Sequence, residues 1–159
     1  MNIIFGALTT LLLTAVMSLP AQAFCFNEAG ARYQIDPRLL QAIARQESGM
    51  NPRAVNINRD KTGKVLSRDY GIMQVNDTHV PRLIRMGALK SKEELLTNPC
   101  LNVQIGAWVL ANHLQVCGIS WSCLGSYNAG FATTQTQETR RMNYARKIYD
   151  RYRRELGQG

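Results

Sequence analysis

No Lys, Arg, Asp or Glu occurs in the first 23 residues of this 159-residue chain, so the formal net charge of +8 belongs entirely to residues 24–159. The apolar stretch from Leu8 to Val16 is diluted by Thr9, Thr10 and Thr14, with Ser18 beyond it. Its unbroken apolar part is too short to cross a bilayer. The segment ends on Ala21-Gln22-Ala23, the small-x-small pattern of a cleaved secretory signal, although only the amino group of Met1 charges its n-region. We therefore expect residues 1–23 to be a signal peptide cleaved after Ala23, with no stable membrane anchor afterwards. No later stretch is long and apolar enough to span. Internal repeats, low-complexity tracts and inter-domain linkers are also absent. About 136 residues then remain as residues 24–159, enough for one domain with a sizeable core.

Histidine is scarce. His79 and His113 have no partners at ligand spacing, and both read as structural. The series His113, Cys117, Cys123 lacks the short Cys–Cys spacing of zinc sites and a nearby fourth ligand, so no metal is expected. The four cysteines are Cys25, Cys100, Cys117 and Cys123. An even count behind a secretory signal favours disulfides, and three pairings are open. The closeness of Cys117 to Cys123 pairs those two and leaves Cys25 with Cys100. In the chain-entropy model the long loop contributes ~4–5 kcal/mol and the short one ~2.

Helix signals dominate the remainder. Asn27 suits the cap of a short first helix ending near Gln34. Asp36-Pro37 is a strong helix start, followed by Leu39, Leu40 and Ile43 and closed by Gly49 and Pro52. Residues 51–63 read as loop, with Asp60-Lys61-Thr62-Gly63 as a hairpin turn. Lys64 to Ser67 and Gly71 to Val75 read as short strands around Arg68-Asp69. Ser91 with Glu94 suggests a capping box. Asn98-Pro99 opens a helix running to Gly118, with Leu101, Ile105, Trp108, Val109, Asn112 and Val116 on one face. Ser120 caps a short helix stopped by Gly130. Residues 138–155 form a basic final helix with Ala145, Ile148, Tyr149, Tyr152 and Leu156 as its apolar stripe. The fold class is α+β, mostly helical, with a small β-hairpin element.

Glu47 lies seven residues after Leu40 and four after Ile43, so its carboxyl shares their apolar stripe in the last turn of its helix. Apolar surroundings and the negative end of the helix dipole both disfavour its charged form. A carboxyl with a raised pKa is what protonation of a glycosidic oxygen near neutral pH requires.

Three segments surround this residue: QESGMNPRAV at 46–55, GIMQVN at 71–76 and SYNAG at 126–130. In this order they resemble the signature motifs of the soluble lytic transglycosylases, over essentially the whole exported chain. The resemblance implies a lysozyme-like fold acting on peptidoglycan glycan strands without a cofactor. It implies Glu47 as acid and base, and Ser48 as its companion near the sugar N-acetyl group. Met73 and Gln74 would line the saccharide groove, Gly71 would let the backbone approach substrate, and Tyr127 and Asn128 would hold the catalytic carboxyl and contact the sugar.

Asp69 departs from that pattern. The run DYGIMQVN at 69–76 is similar to the DYGILQIN segment of animal lysozymes, where the Asp is the second catalytic carboxylate. Small exported transglycosylases of type III secretion, type IV pili and conjugation resemble this chain most, which implies components of such a machine as partners and the periplasm as its location. The chemistry implied is non-hydrolytic cleavage of the MurNAc–GlcNAc β-1,4 bond with a 1,6-anhydro product. The runner-up is a hydrolytic muramidase using Glu47 and Asp69. A glycan-binding assembly factor without turnover, or a cationic membrane-disrupting protein, would have no need of Glu47 together with Gln74, Tyr127 and Asn128. Nucleic acid is not an expected partner, because the aromatic residues of the basic helix lie on its apolar stripe instead of between the charges.

Overall fold

The computed structural model describes residues 24–157, so the expected signal segment and its cleavage after Ala23 lie outside the described residues. Helix α1 spans Phe26–Tyr33 and α2 spans Pro37–Ser48. Strands β1 (Val55–Arg59), β2 (Val65–Tyr70) and β3 (Val75–Asn76) form one antiparallel sheet in that order. A 3-10 turn (Asp77–His79) leads into α3 (Val80–Arg85), then α4 (Glu94–Thr97), α5 (Pro99–Cys117), α6 (Trp121–Ala129) and α7 (Gln135–Glu155). This is the mostly helical α+β domain with a small sheet that the sequence suggested.

Local chemistry explains the best-defined ends. The Asp36 carboxylate accepts from the Arg38 N–H at 2.9 Å, with Pro37 at the first helical position. Gly49 closes α2 at φ 62°, a left-handed conformation that only glycine adopts without a Cβ penalty. Asn98 and Ser120 cap α5 and α6 through the Leu101 and Cys123 N–H groups.

Several expectations are corrected. Cys25, not Asn27, precedes α1. The stretch read as loop contains β1, whose Asn56 and Asn58 face the site while Ile57 is exposed on the opposite face. That inverts the usual apolar-in pattern and hides the strand. Asp69 lies within β2, and residues 71–74 are a buried turn instead of a strand. The capping box does not form, because the Glu94 carboxylate accepts from the Lys90 N–H at 2.7 Å. The stripe assigned to α5 is only partly buried, since Val116 is 72% exposed while Asn102, Val103 and Leu110 are fully buried. Helix α5 runs through the centre against α1, α4, α6 and β3, so much of its circumference is interior. Helix α7 begins three residues earlier than expected, and its buried residues are Tyr144, Ala145 and Ile148, with Tyr149 outside.

Cys25 is bonded to Cys100 and Cys117 to Cys123, the pairing that spacing suggested. The first bridge ties α1 to α5 and the second joins the end of α5 to α6. Cys117 and Cys123, bonded to each other, offer no thiolates to a metal, and no His/Cys/Asp/Glu group among the described residues has ligand geometry. No helix among the described residues is long and apolar enough to cross a membrane.

Candidate active site

A groove of about 750 Å³ runs between the sheet and the helices, and Glu47 and Ser48 at the end of α2 line it. One wall is the sheet, with Asn56, Asn58, Asp69 and Asn76 facing inward, joined by Gln74 from the buried turn. The other wall carries Tyr127 and Asn128 from α6, with His79 and His113. Despite the chain's excess of Lys and Arg, none of these cations lines the groove.

The electrostatics centre on Glu47. Its carboxyl is pushed up to about 7, chiefly by desolvation; a hydrogen bond from Tyr144 opposes the rise and the nearby Asp69 charge adds to it. Tyr144 Oη donates to Glu47 Oε1, and the phenol is itself buried, with a pKa well above its ordinary value. Helix α7 also holds α2 at three other points. Arg151 donates to Gln46 at 2.9 Å, Tyr152 to Asp36 at 2.7 Å, and Arg45 pairs with Glu155 at 2.5 Å. The position of Glu47 is therefore set by the C-terminal helix as much as by its own.

Asp69 is held by the sheet. Asn58 Nδ2 donates to one of its carboxylate oxygens at 2.8 Å and Asn76 Nδ2 to the other at 2.7 Å. Both amides also donate to Ser67 Oγ, at 3.1 and 2.9 Å. Strand register produces this cluster, because Asn56 pairs with Asp69, Asp69 with Asn76, and Asn58 with Ser67. Asp60 behaves as the turn residue expected, its carboxylate accepting from the Thr62 and Lys64 N–H groups at 2.8 and 3.0 Å.

The structure gathers Glu47, Ser48, Asp69, Gln74, Tyr127 and Asn128 in the groove and leaves Met73 out of it. The Met73 side chain is fully buried against Gly106, where an added Cβ would come within 2.6 Å of it. Gly71, at φ 75°, faces inward, not toward substrate. A Cβ there would lie 2.3 Å from Asn102 Nδ2 and from the Leu95 carbonyl. Asn102, fully buried, fixes this turn by accepting from the Met73 N–H and donating to the Tyr70 and Leu95 carbonyls. Ser48 Oγ donates to the Ile72 carbonyl at 2.8 Å, and Gln74 Nε2 to the Gly71 carbonyl at 2.8 Å. Tyr127 Oη donates to the Met73 carbonyl at 2.9 Å, so the phenol on Glu47 is Tyr144, which sequence reasoning missed. Its spacing four residues before Ile148 is the signal that could have found it.

Comparison with known proteins places the chain in a family. Residues 24–150 match the family model described as the transglycosylase SLT domain. The chain belongs to this family of peptidoglycan lytic transglycosylases. It is 46% identical over 134 residues to a peptidoglycan-binding-like protein of Escherichia coli O157:H7, covering 84% of this chain and 79% of that one. Protein IpgF of Shigella flexneri is 44% identical, with 84% and 82% covered. Invasion protein IagB of Salmonella typhimurium strain SL1344 is 41% identical, with 86% and 80% covered. Among solved structures, an inactive mutant of the lytic transglycosylase Slt from Pseudomonas aeruginosa superposes with a TM-score of 0.59 at 20% identity, covering 84% of this chain and 24% of that one. The 70 kDa soluble lytic transglycosylase of Escherichia coli gives 0.58 at 24% identity, covering 86% and 25%. The SLT chain thus shares the lysozyme-like fold and spans about a quarter of the length of those two enzymes.

Proposed function

We propose that this SLT protein cleaves the MurNAc–GlcNAc β-1,4 bond of peptidoglycan with Glu47 as the only proton donor. The observation that carries the reading is a desolvated carboxyl with a pKa of about 7, oriented by Tyr144, at the groove and beside a second carboxylate. Protonated Glu47 gives its proton to the leaving oxygen as the C1–O bond breaks, leaving an oxocarbenium-like centre. The resulting carboxylate takes the proton of the muramyl 6-hydroxyl as O6 closes on C1, which yields the 1,6-anhydro ring and restores Glu47. No water is consumed, and no metal or cofactor enters the steps. Asp69 supplies fixed negative charge to the cation-like centre. Ser48, Gln74, Tyr127 and Asn128 are the groove residues assigned to the sugar, with Met73 contributing through its backbone.

One observation supports a second reading. Asp69 faces the same groove with each oxygen held by an amide, the placement a hydrolytic muramidase needs for a nucleophile or electrostatic partner. Mass spectrometry of muropeptides released by wild type and Glu47→Gln tests both. Anhydro ends support the lyase, reducing ends support hydrolysis, and cleavage by Glu47→Gln within a few-fold of wild type would sink both readings.

The cellular role we infer is local opening of the wall in the periplasm, after cleavage of the signal at Ala23, for a secretion, pilus or conjugation machine. The relative named an invasion protein supports this role.

A further inference from the structure

Two histidines that the sequence offered only as structural residues line the groove, and one of them has its tautomer fixed. Ser126, 1% exposed, places Oγ 2.6 Å from the Cys123 carbonyl. A carbonyl only accepts, so the single hydroxyl proton of Ser126 is committed to it. His113 Nδ1 lies 2.8 Å from the same Oγ, which has only lone pairs left to offer. Nδ1 must therefore carry the imidazole proton, and Nε2 is left as an acceptor. No other group among the described residues bonds to Nε2, and it is not among the buried unpaired atoms. The ring packs at a tilt against Phe131, at 4.6 Å between centroids, and against Tyr127 at 6.4 Å. The Cys117–Cys123 bridge joins the two helical turns that carry the bond, since His113 precedes Cys117 by one turn and Ser126 follows Cys123 by one.

We propose that His113 is a specificity residue of the groove, its Nε2 accepting a hydrogen bond from a hydroxyl or acetamido N–H of the bound saccharide. The inference rests on the groove being the glycan site. A histidine in this role also makes binding pH-dependent. Burial and the neighbouring His79 lower the His113 pKa below its ordinary 6.5, so it is the neutral acceptor at pH 7. As pH falls through that lowered value, Nε2 gains a proton and becomes a donor, and the contact is lost. The other titratable groups lining the groove are Glu47, Asp69, Tyr127 and His79, and the charge of Arg82, outside the lining, acts on His79. Tyr127 stays neutral, its pKa being well above the ordinary phenol value.

The test is binding of the N-acetylglucosamine tetramer, with cellotetraose beside it, to the mature chain carrying Glu47→Gln to prevent turnover. NMR titration from pH 4.5 to 8 reads the affinity of this parent and of His113→Phe, His79→Phe and Ser126→Ala in its background. His113→Phe, which keeps an aromatic ring against Phe131, binds the tetramer about 3–10-fold more weakly than the parent at pH 7.5, the effect of one neutral hydrogen bond. The gap closes as pH falls through that lowered value, and His79→Phe retains that gap relative to its own His113→Phe double variant. Ser126→Ala, which keeps the imidazole but frees its tautomer, also loses affinity at pH 7.5. A loss confined to the acetylated tetramer assigns the donor as the acetamido N–H, and an equal loss with cellotetraose assigns a hydroxyl. Parent affinity in both His113→Phe and Ser126→Ala, or a gap of the same size at every pH, overturns the proposal. Failure of the Glu47→Gln parent to bind any saccharide overturns instead the reading of the groove as a glycan site.

Discussion

Replacing Glu47 by Gln should abolish cleavage and, above neutral pH, make the protein more stable. In the folded chain the carboxyl is pushed up to about 7 from an ordinary 4.5, chiefly by desolvation. Between those values the folded state binds more protons than the unfolded one, so stability falls as pH rises through the window. Fully ionised, the carboxylate penalises the folded state by about 3 kcal/mol, and partial exposure to the groove screens this toward about 1.5. Glutamine has no charge to desolvate, and its amide oxygen still accepts from Tyr144. For a domain of this size the gain corresponds to a rise of about 5–10 °C in Tm at pH 8, shrinking to nothing near pH 4.5, where wild type is also neutral. Thermal unfolding followed by circular dichroism at several pH values measures it, alongside wall clearing at each pH. A Tm difference that does not change with pH, or a variant less stable than wild type at pH 8, would refute the assignment of Glu47 as a desolvated carboxyl.

Tyr144→Phe removes the hydrogen bond that lowers the Glu47 pKa, so the alkaline limb of the pH–rate profile should move upward; an unmoved limb would show that Tyr144 does not set the acid. Asp69→Asn removes a charge that raises the same pKa, so its alkaline limb should move downward, with turnover about 10–1,000-fold lower and KM little changed. Asp60→Asn serves as its control, and full activity with an unchanged pH profile in Asp69→Asn would reduce Asp69 to a residue that only orders the sheet through Asn58 and Asn76. Denaturant unfolding should show that serine replacement of Cys25 and Cys100 costs about 4–5 kcal/mol, against about 2 for Cys117 and Cys123. Equal losses for the two bridges would contradict the loop-length argument, and non-reducing peptide mapping checks the pairing itself.

Local signals were enough to single out Glu47, the proposed acid, and its frame. Asp36-Pro37 started α2, Gly49 ended it, and the Leu40–Ile43–Glu47 spacing put one carboxyl on a buried stripe, because helix periodicity is a property of the chain itself. The three motifs then indicated the family, and cysteine spacing indicated the bridges. Tertiary structure decided what surrounds that acid. Tyr144 reaches Glu47 from 97 residues away only because α7 packs across α2. Asn58 and Asn76 meet Asp69 only because three strands pair in one register, and β1 escaped notice because its polar face is the one turned inward. Met73, which sequence reasoning put in the groove, was drawn into the core by Asn102, whose side chain fixes the Gly71 turn from a helix buried on nearly every side. Hydrogen bonds between distant residues leave no period in the sequence. They exist only when packing has brought donor and acceptor together, and that is why the partners of the acid, and the tautomer of His113, could be read only from the fold.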